Sequence, residues 1–92
     1  MFDPLLHQTV RSKLMSILIN NEELPFGALK KMLEVTDGNL SSHLKKLEAK
    51  GYVKVEKFFE GKRPKTVISI TQTGRDAFKN YIKELRKFIE EN

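Results

Sequence analysis

The segment TDGNLSSHLKKLEAKGYV, from Thr36 to Val53, constrains the fold more than any other part of the chain. Thr36 is a helix N-cap, and acidic Asp37 follows in the first turn, where the helix dipole favours negative charge. At about 100° per residue Leu40, Leu44 and Leu47 fall within about 60° of one another and form the buried stripe. The helix is expected to run to Lys50, with Gly51 as a left-handed C′ residue. Beyond it the period drops to two. Val53, Val55 and Lys57 point one way, Lys54 and Glu56 the other, as in a half-buried strand.

The outer face of this helix is unusual. Gly38, Ser42, Lys45 and Ala49 lie opposite the leucines, with Asn39 and Lys46 on one flank and Ser41 and Glu48 on the other. Stronger helix formers would suit a merely solvated surface. A helix that enters the major groove of DNA needs small residues there, because bulk holds its axis away from the base edges. Asn and Ser can also exchange hydrogen bonds with bases and phosphates.

The flanking segments supply the rest of the architecture. Asp3-Pro4 opens a turn through Leu5, Leu6 and His7, and Thr9 is the expected cap of a first helix, with Val10, Leu14, Ile17 and Leu18 inward, to about Asn20. Leu24-Pro25 is a short extended piece. A second helix is expected from about Ala28 to Glu34, capped by Gly27 and burying Leu29, Met32 and Leu33. With the third helix it makes a helix-turn-helix over about residues 28–50. A hairpin over about 52–70 turns at Glu60 to Pro64 and returns through Thr66, Ile68 and Ile70. Thr71 then caps a last helix over about 72–91.

The expected fold class is therefore α+β and mostly helical. It is a winged helix-turn-helix with a two- to three-stranded antiparallel sheet and a long C-terminal dimerisation helix. Ninety-two residues make one domain, 1–92.

Charge distribution points to a polyanionic partner. Eight basic and three acidic residues lie between Ser41 and Lys65, so the whole formal charge of +5 sits in that segment. Lys62 and Arg63 occupy the hairpin tip, where a wing would reach a minor groove or its phosphates, and Lys65, Lys54 and Lys57 line the adjoining backbone. His43 is expected to be half-buried, as a structural ring or a phosphate contact. Phe58-Phe59 is expected to place one ring in the core and one over the sheet edge; stacking on single-stranded nucleic acid is the other reading.

Other chemistry finds no support. The chain has no cysteine and only two histidines, His7 and His43, too few for a transition-metal site. It has no glycine-rich phosphate loop and no nucleophile motif, so the reading is a non-enzyme without cofactor. A membrane span needs about 18 apolar residues. The longest apolar run, Ile17 to Ile19, is three residues, and a cytoplasmic location is the default.

The last helix carries nearly a heptad seam through Phe78, Tyr81, Ile82, Leu85, Phe88 and Ile89. Its distal half, with Phe2, Leu5 and Leu6, is more apolar than a monomer usually exposes. The expected homodimer interface comprises Phe2, Leu5, Leu6, Tyr81, Leu85, Phe88 and Ile89.

Thr36 to Val53 and Gly61 to Thr66 (GKRPKT) together resemble small winged-helix transcriptional regulators of the MarR/ArsR-like superfamily, and the likeness extends over essentially the whole chain. The resemblance implies a homodimer on pseudo-palindromic duplex DNA, with the third helix in the major groove. By position Asn39, Ser41, Ser42, His43 and Lys46 would face DNA, with Lys62, Arg63 and Lys65 as wing contacts. Lys45 joins them from the outer face. The cysteines of metal-sensing relatives are absent, and no small-molecule effector is indicated. A competing class is a winged helix used for protein interaction within a larger complex.

Overall fold

The computed structural model describes residues 2–91. Its first helix, α1 (Thr9–Ile19), starts where expected but is capped differently. The Gln8 side chain accepts the Arg11 N–H at 2.7 Å, so Gln8 is the N-cap and Thr9 the first helical residue. Leu14, Met15 and Leu18 are buried, whereas Val10 and Ile17 are only half-covered. A two-residue strand, β1 (Leu24–Pro25), leads directly into α2 (Phe26–Leu33).

Helix α2 begins two residues earlier than the sequence suggests. Pro25 is its N-cap and Gly27 lies inside the first turn. Proline has no N–H to leave unsatisfied, and its φ of −64° leads into a helix without a side-chain cap. Leu29 is buried but Met32 is exposed, because the body covers one edge of the apolar stripe only. The helix ends at Glu34, which is left-handed at φ 55°, and the Glu34 and Val35 N–H groups close onto Lys31 and Lys30 carbonyls.

Helix α3 (Asp37–Ala49) follows the sequence pattern closely. Thr36 Oγ1 accepts the Asn39 N–H at 3.1 Å, and Leu40, Leu44 and Leu47 are buried. A Lys30–Asp37 ion pair at 2.9 Å joins α2 to the start of α3. Both side chains are solvated, so the pair contributes at most about 1 kcal/mol. Gly51 ends the helix at φ 78°, and the Tyr52 N–H closes onto the Leu47 carbonyl at 2.9 Å.

β2 (Val53–Glu60) and β3 (Arg63–Ile70) form the hairpin, and β1 pairs antiparallel with β3, giving three strands in the order β1-β3-β2. The turn is shorter than expected. Glu60 pairs with Arg63 and Phe59 with Pro64, so only Gly61 and Lys62 are unpaired. Gly61 takes φ 64° in the first central position, the type II′ pattern whose twist matches a hairpin.

α4 (Gln72–Glu91) starts against the α3–β2 junction. Thr71 Oγ1 accepts the Gly74 N–H at 2.9 Å and donates to the Gly51 carbonyl at 2.6 Å. Gly74 is buried, and a Cβ there would overlap the Tyr52 carbonyl. Glycine lets the two backbones meet. Phe78 and Tyr81 lie in the core, while Phe88 and Ile89 at the distal end are 56% and 64% exposed.

The N-terminal arm packs on its own chain. Leu6 is fully buried, Phe2 stacks on His7 with centroids 4.8 Å apart, and the Phe2 ring meets Phe88 edge-on at 5.9 Å. His7 Nδ1 lies 3.0 Å from the Tyr81 hydroxyl. Leu6 and Tyr81, expected at a dimer interface, therefore belong to the core of one chain. The exposed part of the expected seam is reduced to the distal turns of α4.

Candidate nucleic-acid interface

The outer face of α3 is as small and polar in three dimensions as in sequence. Asn39, Ser42, Lys45 and Lys46 are exposed, and Ser41 is half-buried at the side facing the hairpin. An open cleft of about 620 Å³ separates α3 from the β2–β3 ribbon. Ser41, Lys45 and Glu48 line it from the helix, Lys57 and Thr66 from the ribbon, and Val55 and Leu44 form its floor. Helix and wing thus face each other across this cleft.

Lys62 and Arg63 stand exposed at the ribbon tip, and Lys65 is half-buried in β3 opposite Phe58. Lys54 lies 3.5 Å from Glu56, which offsets part of its charge. The two phenylalanines differ from expectation. Phe58 is 45% and Phe59 73% exposed, because the ribbon has left the body of the domain by this point and no core remains for either ring.

His43 takes the structural one of its two expected roles and does not face outward with the other DNA-facing candidates. It is 9% exposed and turned inward, with Nδ1 3.0 Å from Arg11 Nη1. A guanidinium only donates hydrogen bonds, so Nδ1 must accept and the neutral ring carries its proton on Nε2. Burial holds the His43 pKa below its usual 6.5, and the positive charges of Arg11 and Lys46 push the same way. Arg11 Nε donates to the Leu5 carbonyl at 2.6 Å, tying α3 through α1 to the N-terminal arm. His43 thus braces α3 from behind.

A parallel tie runs from Tyr52, whose hydroxyl donates to Asp3 Oδ2 at 2.5 Å. Burial and the Asp3 carboxylate raise the Tyr52 pKa to about 12. Neither Arg11 nor Asp3 was marked as a partner by sequence. Their partners are 32 and 49 residues away, beyond the reach of any local pattern. Among the described residues no group of side chains could hold a metal ion, and no helix is long and apolar enough to cross a membrane.

Residues 10–89 match the family model described as a winged helix DNA-binding domain. The chain belongs to this family. An uncharacterised protein of Methanocaldococcus jannaschii is 48% identical over 79 residues, 86% of each chain. A solved transcriptional regulator homologue from Pyrococcus horikoshii OT3 superposes with a TM-score of 0.89 at 36% identity, covering 95% of this chain and 86% of that one. A MarR-family regulator from Silicibacter pomeroyi gives a TM-score of 0.73 at 26% identity, covering 90% of this chain and 55% of that one. The winged helix described above is that of a MarR-type transcriptional regulator, a class of non-enzymes.

Proposed function

We propose that the protein binds duplex DNA sequence-specifically as a homodimer, with α3 in the major groove and the β2–β3 wing at the adjacent minor groove. The observation that carries this reading is the exposed, small and polar outer face of α3 with a basic wing standing across an open cleft from it. Asn39, Ser42, Lys45 and Lys46 are exposed on one element, and Lys62 and Arg63 on the other. His43 supports α3 instead of touching DNA. Two copies related by a two-fold would read half-sites about 34 Å apart. Phe88 and Ile89, with Leu85 beside them, supply the apolar surface for the second copy.

Fluorescence anisotropy with labelled duplex, titrated over a range of salt, tests the DNA assignment. Affinity should fall steeply as salt rises, since each phosphate contact releases counterions. Lys46→Ala and Arg63→Ala should each weaken binding and each reduce the salt slope by about two, one phosphate contact from each copy. Both positions are exposed, so thermal unfolding should stay at wild-type values. Unchanged affinity in both variants, or no duplex binding at low salt, would remove the assignment.

A further inference from the structure

The ribbon past Val55 carries an apolar feature that folding does not use. Residues 56–64 are all exposed. Strand alternation and the ladder register assign the two faces of the ribbon. Val53, Val55, Lys57 and Phe59 share one face with their partners Ile70, Ile68, Thr66 and Pro64. The first two pairs pack on the core, and Lys57–Thr66 lines the cleft beside α3. The fourth pair, Phe59–Pro64, continues the same face into solvent, about 13 Å beyond Val55 at the strand rise.

The surroundings of this pair select its partner. Lys57 lies on the same face and Lys62 sits in the turn, while Arg63, paired with Glu60, stands at the tip on the opposite face. The acidic residues of the wing, Glu56 and Glu60, fall on the opposite face, so no negative charge shares the face of Phe59. A partner that suits an aromatic ring among cations offers anionic rims around a stackable, apolar interior. A minor groove of duplex DNA has that form, with phosphates on both edges and base steps between them.

We propose that Phe59, backed by Pro64, is an apolar wedge that enters the minor groove and opens a base step, kinking the duplex where the wing touches it. This rests on the duplex-binding reading above and adds to it. Phosphate contacts at the tip hold the ribbon at the groove, and the ring converts that contact into bending. The wing then contributes sequence preference without reading base edges. Pyrimidine–purine steps unstack most easily and are favoured beneath the ring.

The test uses an approximately 30-bp duplex selected by the wild-type protein from genomic fragments, labelled at both ends for energy transfer. Binding of the wild-type protein should shorten the end-to-end distance, and Phe59→Leu should preserve that shortening, since leucine also serves as a wedge. Phe59→Ala should abolish it and weaken affinity about tenfold at every salt concentration. The salt slope should not change, in contrast to Arg63→Ala. The ring is 73% exposed, so the variants should unfold at the wild-type temperature.

Wild-type affinity and wild-type bending in Phe59→Ala would overturn the wedge while leaving the duplex-binding reading intact. A preference for single strands over duplex that disappears in Phe59→Ala would overturn it in favour of a stacking platform. Failure of the wild-type protein to select or bind any duplex would overturn the DNA reading itself, and the wedge with it.

Discussion

At the scale of single residues, His43 shows how a partner's chemistry decides a role. Because Arg11 can only donate, a protonated ring would set donor against donor at 3.0 Å. The folded pKa lies below the ordinary 6.5, so the unfolded chain binds more protons than the folded one between those values. The stabilisation is therefore fully present above about pH 6.5 and is lost as pH falls from there toward the folded pKa. His43→Gln removes the titration and keeps a hydrogen-bond acceptor. The difference in urea midpoint between wild type and this variant should be constant above about pH 7 and drift against the wild type below about pH 6. A difference independent of pH would show that protonation of the ring does not oppose folding. The sequence places His43 half-buried, which locates it at the boundary of the leucine stripe but not on which side it turns. Arg11 decided that.

At the scale of elements, α3 is the part most legible from sequence. Its cap, stripe and glycine stop are local features, and each one recurs in the structure. The small outer face carries a prediction of its own. Ser42 is exposed, so Ser42→Met should change stability by no more than about 0.5 kcal/mol. Duplex affinity should nevertheless fall at least about tenfold, because the longer side chain holds the helix axis away from the base edges. Anisotropy alongside thermal unfolding checks both halves, and unchanged affinity would mean the face is merely solvated. α2 was less legible. The short extended piece at Leu24-Pro25 is legible from sequence, but the start of α2 at Phe26 depends on its pairing with Ile68 and Val67, partners too distant in the chain to leave a local mark. The two phenylalanines of β2 were misplaced for a related reason. Alternation assigns faces, but it does not say where along the ribbon the body ends.

At the scale of the whole molecule, the chain has principal extents of 54 × 25 × 21 Å. A groove of about 410 Å³ runs between α1, α2 and α4, lined by Ile17, Met32, Leu33, Phe78, Ile82 and Leu85. It explains the exposure of Met32, which faces this groove and not the core. Groove and distal helix together form a surface that a second copy can cover with the same elements, as a two-fold interface requires. Sedimentation at micromolar concentration should give twice the chain mass for the wild type. Ile89→Lys should give a monomer, since a charge placed in an apolar seam is left without a partner. A wild-type protein that sediments as a monomer would overturn the dimer.

What the sequence by itself determined is what local periodicity and local capping encode. It set the order of helices and strands, the buried face of α3, the glycine stop at Gly51 and the caps at Thr36 and Thr71. It also located the basic segment and the small face beside it. The tertiary structure alone decided which polar groups meet across the chain. It turned His43 inward to Arg11, drew the N-terminal arm and Tyr81 into the core, and left Phe59 in solvent. The physical reason is common to all of these. Periodicity tells which face of an element is apolar, but only the packed body shows how much of that face is covered and by what.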